Sequence, residues 1–88
     1  PYSYSITNIY PNPFNPTTNM TYSLAENTNV QIVVYDLAGK EVCTLVNEFQ
    51  TMGSYSVSWN ASSQPSGMYL LQLKAGNYIE TRKISYLK

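Results

Sequence analysis

An all-β sandwich is the fold this sequence predicts, and three observations predict it. Apolar residues recur at every second position, they nowhere keep helical spacing for more than a few positions, and turn residues interrupt them about every 8–12 residues. In the first strand Tyr2, Tyr4 and Ile6 alternate with serines, and in the second Met20, Tyr22 and Leu24 alternate with Thr21 and Ser23. Such strands have one dry and one wet face. The third, Val30 to Tyr35, is apolar on both faces, which predicts a central position. Asp36-Leu37-Ala38-Gly39-Lys40 then supplies a hairpin loop to a fourth strand, Glu41 to about Val46. In the fifth, Tyr55, Val57 and Trp59 alternate with Ser54, Ser56 and Ser58. Pro65-Ser66-Gly67 turns the chain into a sixth strand, Met68 to Leu73, again apolar on both faces and central. Ala75-Gly76-Asn77 leads into a seventh, Tyr78 to Leu87. In the seventh, Ile84 and Tyr86 keep the phase of Tyr78 while Ile79 and Leu87 take the opposite one, which predicts a β-bulge near Arg82-Lys83. Seven such strands in 88 residues match an immunoglobulin-like seven-stranded antiparallel β-sandwich, with a closed barrel as the alternative.

The length fits a single domain, 1–88, that buries about 64% of its unfolded surface. Stability must come from side-chain packing, because Cys43 is the only cysteine. Charged residues are 11% of the chain, under half the usual share, so Ser, Thr, Asn, Gln and Tyr must build the surface. A neutral hydrogen-bonding surface of this kind points outside the cytoplasm. No run is long and apolar enough for a membrane span, and the first residues lack the layout of a signal peptide, so a secreted protein would carry that peptide upstream. The formal net charge of zero argues against nucleic acid as a partner. It hides an asymmetry, since residues 1–73 hold Glu26, Asp36, Lys40, Glu41 and Glu48 while residues 74–88 hold Lys74, Glu80, Arg82, Lys83 and Lys88. The tail is the basic pole.

Catalysis finds no support in the inventory. With no histidine, a triad or an imidazole-based metal site is excluded, and the five acids stand singly rather than in pairs. No cofactor is expected. Cys43 reads as a small buried hydrophobe, with an intermolecular disulfide as the other use of a lone thiol. Trp59 shares a face with Tyr55 and Val57, and a face that carries valine belongs in a core rather than on a sugar-binding platform.

The densest motif is Tyr10-Pro11-Asn12-Pro13-Phe14-Asn15-Pro16-Thr17-Thr18. Its three prolines fix φ and remove backbone donors, and Asn12 and Asn15 can bond their own backbone, so the segment is a rigid loop. Phe14, alone among polar neighbours, is expected to plug the end of the sandwich. Two readings stay open: the loop covers an exposed sheet edge, or Pro11, Asn12 and Pro13 are recognised by a partner. The tail is equally double. Arg82, Lys83 and Lys88 are conspicuous handles for an acidic groove, and lysines on edge strands are also ordinary guards against aggregation. Gly53 and Tyr55 read as a backbone turn and a core aromatic.

Pro11-Asn12-Pro13-Phe14-Asn15-Pro16-Thr17-Thr18 resembles the opening motif of type A C-terminal sorting domains of the bacterial type IX secretion system. Tyr35-Asp36-Leu37-Ala38-Gly39-Lys40-Glu41-Val42 is similar to that family's central hairpin, with Gly39 at the turn, and Gly53-Ser54-Tyr55-Ser56-Val57-Ser58-Trp59 to its Gly-x-Tyr strand. Ser66-Gly67-Met68-Tyr69-Leu70 resembles its Ser-Gly-x-Tyr strand, and Thr81-Arg82-Lys83-Ile84 with Lys88 its basic ending. Cys43 departs from the small or β-branched residue commoner there. The resemblance spans nearly all of residues 10–88. It implies a non-catalytic sorting and anchoring signal on a secreted cargo, which passes through the periplasm to the cell surface or the extracellular space. The implied partners are the outer-membrane secretion machinery and a surface peptidase. The same pattern is related to immunoglobulin-like modules of flagellar-hook capping proteins and of large cell-surface proteins. That relation leaves a rival, a structural module that self-associates in a cell-surface or extracellular fibre. Its motive is the near absence of charge over residues 1–25 and 49–73.

Overall fold

In the computed structural model, which describes residues 2–88, every regular element is a strand. The strands are β1 (Ser5–Tyr10), β2 (Thr17–Leu24), β3 (Thr28–Asp36), β4 (Glu41–Gln50), β5 (Gly53–Asn60), β6 (Gly67–Ala75) and β7 (Tyr78–Tyr86). They form a three-stranded sheet in the order β1-β2-β5 and a four-stranded sheet in the order β4-β3-β6-β7, with antiparallel pairing throughout. The sequence expectation of an immunoglobulin-like sandwich therefore holds. The fourth strand pairs with the third, where the constant-type immunoglobulin domain places it in the first sheet.

Alternation decides which side of each strand faces the core. Thr18, Met20, Tyr22 and Leu24 of β2 point inward and are almost wholly buried. They meet Val30, Ile32 and Val34 of β3 and Tyr69, Leu71, Leu73 and Ala75 of β6 in one continuous core. The two segments apolar on both faces are the two central strands of the larger sheet. Val33, on the outer face of β3, is only 2% exposed, which explains its valine.

The turns follow their residues. At the β3–β4 hairpin the Asp36 carboxylate accepts from the amides of Ala38 and Lys40, and Gly39 takes a φ of 87° that side chains disfavour. At the β6–β7 turn Gly76 has a φ of 60°, and a Cβ there would lie 3.1 Å from Thr28 Oγ1. Near the start of β6 the buried Tyr69 donates its hydroxyl to the carbonyl of Pro65, four residues upstream. This is the tyrosine corner found in immunoglobulin-like sandwiches.

Three expectations are corrected. The first strand starts at Ser5, later than Tyr2; Tyr2 is 50% exposed, and Tyr4 stacks on Tyr78 at 5.5 Å, so their alternation lies ahead of the ladder. The fourth strand runs on to Gln50, because its polar end still pairs with Thr28 and Asn29. The bulge near Arg82-Lys83 is absent: the β6–β7 ladder is unbroken from Gly67↔Tyr86 to Ala75↔Tyr78. Ile79 and Leu87 need no second buried phase, being 57% and 54% exposed. Register shifts occur instead in β1 between Ile6 and Asn8, and twice against β4.

Phe14 does plug one end. Its ring is 2% exposed, stacked 5.2 Å from Tyr86 and tilted against Trp59 at 5.7 Å, and Trp59 meets Tyr69 edge-on at 5.2 Å. Replacing Phe14 by Ala is expected to cost about 3–5 kcal/mol, the range for deleting a buried aromatic. A urea unfolding midpoint unchanged from the parent would contradict that seat.

Candidate recognition groove at the proline loop and the last strand

The loop from Pro11 to Pro16 is fastened at both sheets. On the three-stranded side, the buried Thr18 hydroxyl donates to the carbonyl of Pro11 at 2.7 Å, and the Ala61 amide donates to that of Pro16 at 2.8 Å. On the other side it lies along the free edge of β7. Phe14 N–H donates to the Ser85 carbonyl at 2.9 Å, Leu87 N–H donates to the Phe14 carbonyl at 3.0 Å, and Phe14 and Tyr86 form a parallel bridge. The Asn12 side chain extends the match, accepting from Ser85 N–H at 3.0 Å and donating to the Lys83 carbonyl at 3.4 Å. Edge groups that would otherwise be bare are thus satisfied by the loop.

The result is a shallow groove of about 490 Å³, open to solvent and lined mainly by apolar groups of Pro11, Pro13, Phe14, Asn15, Leu87 and Lys88. Lys88 is exposed on its rim, with Nζ 5.9 Å from the centre of the Tyr86 ring, a distance at which a cation and an aromatic face attract. The two segments singled out separately in the sequence meet here. Pro11, Pro13 and Lys88 line the groove, and Asn12 holds its walls together.

Lys83 and Arg82 lie elsewhere. Lys83 is exposed on the outer face of the four-stranded sheet, in register with Leu70. Arg82 is on the core side of β7, in register with Leu71, at the flank of the sandwich. There its guanidinium bonds Glu80 at 2.8 Å and the Ile6 carbonyl at 3.1 Å, while Glu80 accepts from the Ile6 amide at 2.8 Å and the Tyr78 hydroxyl at 2.6 Å. Two side chains of β7 thereby satisfy both backbone groups of Ile6 and close the flank between the sheets. Burial pushes the Glu80 carboxyl up, but the hydrogen bonds from Tyr78, Ile6 and Arg82, with the Arg82 charge, outweigh it and hold the carboxyl below its ordinary 4.5.

Of the motif residues, Tyr69, Trp59 and Phe14 are core, Tyr55 stacks on Tyr22 at 5.5 Å, and positive φ is carried by Gly39 in the β3–β4 hairpin and by Gly53 and Gly67 at the starts of β5 and β6. Cys43 sits half-buried on β4, where burial pushes its thiol up and Trp59 draws it partly back. A thiol so held is a weak nucleophile. Sequence reasoning missed Asn15 and Leu87 as groove residues and Glu80 as the flank closure. Leu87 had a visible signal, its off-phase position, which reflects an exposed groove wall.

The model of the secretion system C-terminal sorting domain family matches residues 8–86. The chain belongs to this family, the sorting domains of type IX secretion. No curated protein and no solved structure matches it. As a sorting domain it marks a cargo for export across the outer membrane. The family match includes the proline loop and all of β7, hence Pro11, Pro13, Phe14 and Asn15 of the groove, and ends just before Leu87 and Lys88.

Two predictions follow from this geometry. Because the folded Glu80 pKa is depressed, its contribution to stability is complete above the ordinary value of 4.5 and is lost as pH falls through the folded value. Urea midpoints measured from pH 7 to 3 should therefore fall less steeply for Glu80→Gln than for the parent. Asn12→Ala should selectively speed hydrogen exchange at the Ser85 amide while leaving Phe14 N–H protected; equal protection at Ser85 in both proteins would contradict the Asn12 bridge.

Proposed function

We propose that the outer-membrane translocon reads this domain through the groove between the proline loop and Leu87-Lys88, with Lys88 and Lys83 as cationic handles. The observation that carries the reading is that the proline motif and the last two residues, Leu87 and Lys88, line one solvent-open, largely apolar surface. Proline rings and Leu87 offer rigid apolar contact at small entropic cost, and a lysine at the rim orients an acidic partner. The fitting partner is a surface with an apolar ridge and carboxylates beside it. In this reading the domain is non-catalytic, and a cell-surface peptidase acts on the junction between cargo and domain. Arg82, committed to Glu80 and Ile6, contributes to the fold of the tail rather than to contact.

The test is export of a periplasmic reporter fused ahead of residues 1–88 in a host with type IX secretion. The parent fusion should reach the cell surface or medium. Lys83→Glu/Lys88→Glu should cut export at least about tenfold, the scale of losing one good contact, with a melting temperature close to the parent's, and Pro11→Ala/Pro13→Ala should cut it as far, circular dichroism checking that the fold is kept. A parent reporter left in the periplasm overturns the function. Undiminished export of both variants overturns the groove.

A further inference from the structure

We propose that the free edge of β5 is an interface between two copies of this chain, formed by antiparallel addition of β5 to β5 of a second copy about a two-fold axis. A two-sheet sandwich has four edge strands, here β1, β5, β4 and β7. Three of them are managed. The edge of β7 is bonded to Asn12 and Phe14, and β1 is closed at Ile6 by Glu80 and Arg82. β4 is broken by two register shifts and carries the exposed Glu41 and Glu48. Such bulges and charges are ordinary protections of an edge.

β5 has none of them. It pairs with β2 in eight consecutive register positions without a shift, from Thr17↔Asn60 to Leu24↔Gly53. It contains no proline and no charge. Among the described residues, no loop or other strand supplies a backbone partner to Gly53–Asn60 beyond β2. A straight ladder with one side unpaired presents the donors and acceptors that another strand satisfies.

The occupant is a second copy because of where the charges lie. β1, β2 and β5 hold no Asp, Glu, Lys or Arg, so all ten charged residues belong to the other sheet or to loops. Continuing this sheet through a two-fold axis into six strands opposes no like charges within it, the main barrier when a strand meets itself. With the axis at Val57, Tyr55 falls opposite Trp59 of the second copy and Ser56 opposite its Ser58. The half-buried Tyr55 and Val57 gain cover on the core side, while Ser54, Ser56 and Ser58, all exposed, pair hydroxyls on the outer face. The groove at Pro11–Lys88 takes no part, so the proposal stands apart from the sorting reading.

Sedimentation velocity over a concentration series tests it, using the parent, Ser56→Lys/Ser58→Lys and Ser56→Glu/Ser58→Glu. These side chains are exposed, and circular dichroism checks that each variant keeps its fold. The parent should form a weak dimer, with a Kd on the order of 0.1–1 mM as suits a single strand contact below about 1,200 Å². Each like-charged variant should weaken dimerisation at least tenfold, and their equimolar mixture should restore it as a heterodimer. A parent that stays monomeric throughout the series, or a dimer equally strong in every variant, overturns the proposal.

Discussion

The seat of Phe14 is the constraint on which the rest of the structure depends. Its ring lies in the core between Trp59 and Tyr86, while its own N–H and C=O pair with Ser85 and Leu87 at the edge of the opposite sheet. A residue meets both demands only where the chain on either side is held close. The prolines restrict φ around it, and Thr18 and Ala61 bind the carbonyls of Pro11 and Pro16. Through this one residue the loop closes the end of the sandwich, covers the β7 edge and forms one wall of the groove.

Charge is sorted with the same economy. The three-stranded sheet has none, and the four-stranded sheet and loops have all of it. The one ion pair among the described residues, Arg82 with Glu80, has side chains 47% and 20% exposed, a setting in which the attraction itself contributes little. Its role is positional, since the pair satisfies the backbone of Ile6 where β1 has no strand neighbour on that side. Lys83 and Lys88 make no salt bridge among the described residues and remain as cations at the basic end.

Strand count, strand type and the two central positions were legible in the chain because they depend on local alternation. Apolar residues on the outer phase, such as Val33 and Leu70, gain shelter from a neighbouring strand on each side, and β3 and β6 are the strands that have two. Boundaries were less legible. Tyr2 and Tyr4 repeat the pattern of β1 without pairing, and Asn47 to Gln50 pair with β3 without showing an apolar pattern. The phase break at Ile79 and Leu87 was visible and read as a bulge, whereas the unbroken β6–β7 ladder leaves both as exposed side chains.

By itself, then, the sequence determined an all-β sandwich, its turns, a rigid proline loop with one aromatic plug and a basic end, since each rests on neighbours a few positions apart. Only the tertiary structure decided that loop and tail form one groove, that Arg82 faces the flank while Lys83 faces solvent, and that β5 is the edge left bare. Those outcomes rest on contacts such as Ile6 with Glu80, 74 residues apart, and Asn12 with Ser85, 73 apart. A periodic pattern specifies which face of a strand is buried but carries no record of which distant edge will lie beside it.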